Sequence, residues 1–79
     1  MLTMYSTPWC GYCHRLASLL DREGIDYTVV DIEEDRASAE YVTSVNGGNR
    51  TVPTVRFPDG TALTNPTITQ VKHHLATPH

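Results

Sequence analysis

Two cysteines separated by two residues are the side chains of this sequence best suited to chemistry. They occur in the pattern Trp9-Cys10-Gly11-Tyr12-Cys13, and the chain has two cysteines in all. Cysteines in Cys-x-x-Cys pairs or at helix N-termini ionise more readily than a free thiol, whose pKa is about 8.5, and the thiolate is the nucleophile. One helical turn also brings two α-carbons within the roughly 4.4–6.8 Å that a disulfide requires. The pair therefore predicts thiol–disulfide exchange, a reaction that needs no tightly bound cofactor.

The helix predicted over residues 11–23 gives the two cysteines different positions. Cys13 lies three and seven residues before Leu16 and Leu20, so it shares their core-facing stripe and should be mostly buried. Cys10 precedes the first turn, where unpaired amide groups and the positive end of the helix dipole stabilise a thiolate. We therefore expect Cys10 to be the attacking sulfur and Cys13 to be the sulfur that resolves a mixed disulfide.

The remaining segments predict four strands and three helices in the order β-α-β-α-β-β-α. The strands are expected over residues 2–5, 25–32, 54–57 and 61–64, and the helices over 11–23, 35–46 and from 66 onward. The first two strands should lie parallel, with a right-handed crossover. The residues Pro58-Asp59-Gly60 should turn the chain between the last two strands. This order describes an α/β fold in which helices pack on a small mixed sheet.

Apolar spacing predicts which faces of the second and third helices are buried. In the second helix these positions are Ala37, Tyr41, Val42 and Val45. In the closing helix they are Ile68, Val71 and Leu75. Asn65 is the expected N-cap of the closing helix, because Pro66 after it suits a first helical turn.

Most of the charged side chains are expected on the solvated surface. They include Asp21, Glu33, Glu34, Asp35, His73 and His74. The three consecutive acidic residues among them would complement the dipole of the second helix. His14 and Arg15 could add positive charge near Cys10, but they could equally be ordinary surface side chains. Arg50 could steer an anionic partner.

Size and composition exclude several classes of protein. A chain of 79 residues forms one domain, residues 1–79, because it is too short for two cores. The formal net charge of −3 and the lack of a basic run argue against nucleic-acid binding. We see neither an apolar stretch of the roughly 20 residues needed to cross a membrane nor a secretory signal. The expected location is therefore the cytoplasm, where a structural disulfide would be rare and a close cysteine pair is more often catalytic.

Three other interpretations of the cysteines are open but weaker. They could be two unreactive core residues, although the β-α-β context argues against this. Cys10-x-x-Cys13-His14 also matches the attachment signature of a c-type haem, which would require export. Zinc could be bound by both cysteines together with two of the histidines His14, His73, His74 and His79. The spacing of those histidines is poor for such a site, so we expect no metal.

The sequence resembles the glutaredoxin branch of the thioredoxin superfamily over nearly its whole length. The resemblance rests on the segment 5–13 with the cysteines, on Asp31-Ile32 after the second strand, and on Thr51-Val52-Pro53-Thr54-Val55 before the hairpin. More narrowly, the sequence is similar to mycoredoxins, the glutaredoxin-like proteins of bacteria that use mycothiol. Thioredoxins are longer at the N-terminus and carry proline where this chain has Tyr12.

The resemblance implies a thioredoxin/glutaredoxin fold, βαβαββα with a four-stranded mixed sheet flanked by helices. It also implies that Pro53 is cis and faces the cysteines, and that the backbone of Thr51 and Val52 pairs with the thiol substrate. Trp9 would form a wall for that substrate, or else pack against the protein, and Tyr12 would shield the sulfur.

Two departures from glutaredoxins bear on the substrate. Gly11 replaces the proline of their motif, and residues 64–67, Thr-Asn-Pro-Thr, replace the Gly-Gly-x-Asp stretch that holds a carboxylate of glutathione in that family. Mycothiol is a sugar-bearing thiol without that carboxylate, so it has less need of the missing stretch.

The resemblance therefore implies a monomeric cytoplasmic oxidoreductase that reduces mixed disulfides between proteins and mycothiol, with Cys10 as nucleophile. Mycothiol would be its reducing co-substrate, and an NADPH-dependent mycothiol disulfide reductase would be an indirect partner. One alternative is an electron donor to ribonucleotide reductase that thioredoxin reductase recharges. A second alternative, from another class, is a [2Fe–2S] cluster carrier in which Cys10 and an external thiol hold the cluster between two protomers.

Overall fold

The computed structural model describes residues 1–76, and its elements follow the predicted order. They are β1 Leu2–Ser6, α1 Gly11–Arg22, β2 Tyr27–Asp31, α2 Arg36–Val45, β3 Thr54–Arg56, β4 Ala62–Thr64 and α3 Ile68–Ala76. His79, a possible zinc ligand in the sequence analysis, lies outside the described residues. None of the described helices is both long enough and apolar enough to cross a membrane.

The four strands form one mixed sheet in the order β2-β1-β3-β4. The strand β1 pairs in parallel with β2 and antiparallel with β3, and β3 pairs antiparallel with β4. This arrangement confirms the predicted thioredoxin/glutaredoxin fold. Ser6 and Asp31 are paired at the carboxyl ends of β1 and β2. The loop that carries the cysteines and the turn after β2 therefore start side by side.

Both faces of the sheet are covered. Alternate residues of β1 point to opposite faces and pack in two different core clusters. Leu2 and Met4 belong to the larger core cluster, which also contains Cys13 and Leu20 of α1 and Val71 of α3. On the other face, Tyr5 packs in a smaller cluster with Ile32, Ala39 and Val42. The cysteine-bearing helix α1 is thus anchored in the larger core.

The buried face of α2 differs from the prediction at two positions. Ala39 and Val42 are buried, Tyr41 is half-buried, and both Ala37 and Val45 are exposed. Ala37 is two residues from Ala39, which on a helix is about 200° away, so the two cannot share one buried stripe. A helix of 10 residues that covers one side of a small sheet needs only a narrow stripe.

The start of α3 also differs from the prediction. Asn65 does not cap the helix; it adopts a positive φ of 45°, and its amide donates to the Pro53 carbonyl at 2.7 Å. Thr67 caps the helix instead, because its hydroxyl accepts from the Gln70 amide at 3.1 Å. At the other end of α3, Leu75 is 44% exposed, although Val71 on the same face is fully buried.

The sequence predicts that His74 lies on the solvated side of α3, but in the structure it packs against the protein. Its ring lies 4.0 Å from the ring of Phe57, measured between centroids, and Nε2 lies 2.7 Å from the Thr61 hydroxyl. The neighbouring His73 is exposed, as expected. A histidine next to the β3–β4 hairpin can stack its ring on an aromatic residue while its nitrogens bind polar groups.

Candidate active site

Cys10 is the N-cap of α1, at the position that the sequence predicts. Its backbone is extended, with φ −83° and ψ 109°, and its Sγ accepts a hydrogen bond from the Cys13 amide at 3.2 Å. The Cys10 amide donates in turn to the Thr7 carbonyl at 3.2 Å, which closes the loop before the helix. The sulfur therefore takes one of the amide groups that a helix start leaves unpaired.

The Cys10 side chain also lies beside the segment that precedes β3. Its Sγ is 3.9 Å from the Val52 carbonyl oxygen, and the Val52–Pro53 peptide bond is cis. Pro53 is buried, Val52 is half-buried and Thr51 is exposed. Cys10 itself is only 6% exposed, because it is part of the larger core cluster, against which Val52 also packs. The cysteine motif and the Thr51-Val52-Pro53 segment thus meet at the sulfur.

Cys13 is the more deeply placed of the two cysteines, with 1% of its surface exposed. Burial, together with the hydrogen bond to Cys10, raises the pKa of the Cys13 thiol to about 11. A hydrogen bond to Ser6 and one to the Thr7 backbone oppose this shift without cancelling it. Cys13 therefore keeps its proton at neutral pH, and both cysteines are free thiols.

The two aromatic residues next to Cys10 are exposed. Trp9 is 73% exposed and Tyr12 is 68% exposed. The indole N–H of Trp9 donates to the Glu33 carboxylate at 3.3 Å, so this side chain does not pack into the protein. Tyr12 lines an open groove of about 350 Å³ between α1 and the start of α3, with Arg15, Asn65 and Thr67. The predicted shielding of the sulfur by Tyr12 stays a prediction.

His14 and Arg50 make contacts that the sequence does not reveal. The His14 ring donates from Nε2 to the Pro8 carbonyl at 2.8 Å, which joins the first turn of α1 to the preceding loop. Arg50 lines a charged pocket of about 400 Å³. The other residues of this pocket come from α2 and the turn before it, and they are Ile32, Glu33, Glu34, Arg36, Ala39 and Glu40.

Within residues 1–76, no three His, Cys, Asp or Glu side chains are grouped so that they could hold a metal ion.

Two residues near the site were not identified from the sequence as parts of it. Glu33 was assigned to a solvated acidic cluster, yet its carboxylate holds the Trp9 indole. Thr7 is buried, and its Oγ1 has no hydrogen-bond partner in the described part of the chain. Glu33 lies 24 residues from Trp9 in sequence. Only the pairing of β1 with β2 brings them together, and no local pattern signals that contact.

Comparison with known proteins shows that this chain is similar to glutaredoxins. Residues 2–61 match the family model described as Glutaredoxin. A Mycobacterium tuberculosis (strain H37Rv) protein, whose name assigns it provisionally to the glutaredoxins, is 61% identical over 74 residues, or 94% of this chain and 88% of that protein. Mycoredoxin 1 of Corynebacterium glutamicum is 49% identical over 70 residues, or 89% of this chain and 86% of that protein.

A solved structure shows the same arrangement of elements. The crystal structure of glutaredoxin grx-1 from Archaeoglobus fulgidus matches with a TM-score of 0.78 and 28% sequence identity, covering 96% of this chain and 86% of that one. The family match spans both the cysteine pair and the segment before β3.

Proposed function

The chain belongs to the glutaredoxin family and is a glutaredoxin-type disulfide oxidoreductase, and on this premise we propose that it reduces mixed disulfides between proteins and mycothiol. The family membership supplies the reaction type, which is thiol–disulfide exchange at a Cys-x-x-Cys pair. The choice of mycothiol over glutathione is supported by the 49% identity to Mycoredoxin 1 and by the structure at the start of α3.

The observation that carries the proposal is a closed helix start where the family binds a carboxylate of glutathione. The Thr67 amide donates to Gln70 Oε1 at 2.8 Å, and the Gln70 amide donates to Thr67 Oγ1 at 3.1 Å. This reciprocal pair is a capping box, which satisfies two of the amides that would otherwise point out of the helix. A carboxylate that bound the Thr67 amide would have to displace the Gln70 side chain, whereas a neutral sugar-bearing thiol has no such requirement.

The proposed reaction has two exchange steps at Cys10. In the first step, the Cys10 thiolate attacks the mycothiol sulfur of a protein–mycothiol disulfide, a Cys10–mycothiol disulfide forms, and the protein leaves as its thiolate. In the second step, the thiolate of another mycothiol attacks the mycothiol sulfur bound to Cys10. Mycothiol disulfide is formed, Cys10 is returned as a thiolate, and an NADPH-dependent reductase then reduces the mycothiol disulfide.

Cys13 would act on a side branch of this scheme. Its side chain lies one turn from Cys10 and hydrogen-bonds to the Cys10 side chain. Once Cys13 loses its proton, it can attack Cys10 and release mycothiol, and the product is an intramolecular disulfide. Because the pKa of the Cys13 thiol is raised to about 11, this branch is expected to be slower at neutral pH than release by external mycothiol.

The experiment that tests the proposal measures reduction of a mycothiolated protein with three reducing systems side by side. These are mycothiol with its disulfide reductase, glutathione with its disulfide reductase, and thioredoxin reductase with NADPH. We expect the mycothiol system to be fastest, and the Cys13→Ser variant to retain much of that rate. A faster reaction with thioredoxin reductase would instead favour an electron donor of the kind that serves ribonucleotide reductase, and equal loss in Cys10→Ser and Cys13→Ser would contradict the monothiol scheme.

A further inference from the structure

The exposed indole of Trp9 is held in place by a residue from a distant part of the chain. The ring is 73% exposed, and its N–H donates to Glu33 Oε2 at 3.3 Å. An aromatic side chain with one polar atom bound and its face open to solvent is typical of a binding surface, since it can offer contact area at little conformational cost. Because Trp9 directly precedes Cys10, its orientation affects what can approach the sulfur.

Glu33 is itself fixed by the end of the sheet. Its backbone amide donates to Asp31 Oδ1 at 2.8 Å, and the neighbouring Ile32 amide donates to the Ser6 carbonyl at 3.0 Å. Asp31 is the register partner of Ser6 in the β1–β2 pairing. The backbone of Glu33 is therefore held by the same two strands that support the loop with Trp9.

The basic side chains near the Glu33 carboxylate leave its hydrogen bond with Trp9 intact. Arg36 lines the same charged pocket as Glu33, but its Nε lies 3.7 Å from Glu40, one turn further along α2. Within residues 1–76, Glu33 forms no ion pair with Arg36 or with Arg50, which lines the same pocket. The Glu33 carboxylate consequently faces Trp9 on one side and the charged pocket on the other.

We propose that Glu33 is a positioning residue that holds the Trp9 indole as a fixed wall for the sugar part of the substrate thiol beside Cys10. A sugar ring presents C–H groups on its faces and hydroxyl groups at its edge. An indole face packs against the former, and a neighbouring carboxylate accepts hydrogen bonds from the latter. This inference rests on the proposed use of mycothiol, and it adds a residue that touches Trp9 rather than the reacting sulfur.

The test compares three variants of the full chain. Glu33→Ala removes the acceptor, Glu33→Gln keeps an oxygen that can accept from the indole, and Glu34→Ala removes the same charge from the next residue. Trp9 is the chain's only tryptophan, so its fluorescence anisotropy reports the mobility of this ring alone. We expect the anisotropy to fall in Glu33→Ala and to stay near the parent value in Glu33→Gln and Glu34→Ala.

The kinetic expectation is a change in KM without a matching change in kcat. Loss of one hydrogen bond of ordinary strength should raise the KM for a mycothiolated substrate about fivefold in Glu33→Ala. Glu33→Gln should restore most of this loss, and Glu34→Ala should show no such increase. A Glu33→Ala protein with unchanged anisotropy, or with lower anisotropy and unchanged KM, would overturn the positioning role.

These results are separable from those that test the proposed function. If the parent protein does not use mycothiol at all, the proposed function fails whatever the variants do. If the parent uses mycothiol and Glu33→Ala matches it in KM, the function stands and the positioning role fails. Equal melting temperatures of the three variants would show that the kinetic change does not come from unfolding.

Discussion

The starts of α1 and α3 both lie next to the cysteine site, and they handle their unpaired amides in opposite ways. At α1, the cap is Cys10, whose sulfur accepts the Cys13 amide and can form a bond to a substrate. At α3, Thr67 and Gln70 satisfy each other's amides. A helix start can therefore serve chemistry or close itself off, and the capping side chain decides which.

The starts of α1 and α3 border the same groove, so the two kinds of cap lie close together. Tyr12 of α1 and Thr67 before α3 line the two sides of the open groove of about 350 Å³. One of these two helix starts is capped by a cysteine and the other by a capping box. In this arrangement, two of the amides at the start of α3, those of Thr67 and Gln70, are already bound within the protein.

The largest expected effect comes from removing the sulfur at the start of α1 while keeping a capping side chain. Serine is a good N-cap, so Cys10→Ser should leave the free energy of unfolding within about 0.5 kcal/mol of the parent. Alanine cannot accept the Cys13 amide, so Cys10→Ala should cost about 1 kcal/mol. Both variants should lose at least about a thousandfold in turnover of a mixed disulfide, because the nucleophile is absent.

Chemical denaturation and a turnover assay on the same preparations would check this prediction. Cys13→Ser is the matched control, since it also replaces one thiol by a hydroxyl on the same helical turn. The role of Cys10 would be refuted by a Cys10→Ser protein that retains a tenth of the parent rate. Equal stability of the parent and the alanine variant would instead show that the sulfur contributes nothing as a cap.

A second test concerns the other sulfur of α1 and depends on pH. The folded state holds the pKa of the Cys13 thiol at about 11, against an ordinary value of 9.0. Between these values, the unfolded chain has lost the proton and the folded chain still binds it. The folded protein therefore has its full stability below about pH 9 and loses part of it as the pH rises towards about 11.

Denaturant unfolding of the parent and of Cys13→Ala across this pH range isolates the effect. Burial, followed by Asp21, also raises the pKa of Tyr27, so some alkaline loss of stability belongs to that residue and is common to both proteins. We expect the Cys13→Ala curve to fall less steeply than the parent curve. Parallel curves through this range would show that the Cys13 thiol titrates at an ordinary value.

The same two helix starts show which structural features can be predicted from the sequence and which cannot. The cap at Cys10 was predictable because proline, a reactive residue and a helical stripe follow one another locally. The cap at α3 was misassigned to Asn65, because a proline at 66 suits a first turn equally well in a sequence. In the structure, the Asn65 amide binds the Pro53 carbonyl at 2.7 Å, and this contact with a distant segment moves the helix start to Thr67.

The contacts that complete the site depend on long-range pairing in the same way. The approach of Val52 to Cys10 was expected from family resemblance, and no local pattern would have indicated a contact between residues 42 apart. The contact of Glu33 with Trp9 was not expected at all. Local rules predicted the cap at Cys10 and the buried stripe of α1, but strand register decides which loops become neighbours.

The smallest expected effect comes from opening the cap of α3. Gln70→Ala removes the acceptor of the Thr67 amide and should lower the free energy of unfolding by about 0.5–1 kcal/mol. The freed amide at a helix N-terminus can then bind a carboxylate, so the rate with glutathione should rise about threefold relative to the rate with mycothiol. Thr69→Ala is the matched control, because Thr69 is an exposed residue of α3 that takes no part in the capping box. An unchanged ratio of the two rates in Gln70→Ala would mean that the closed cap does not select between the thiols.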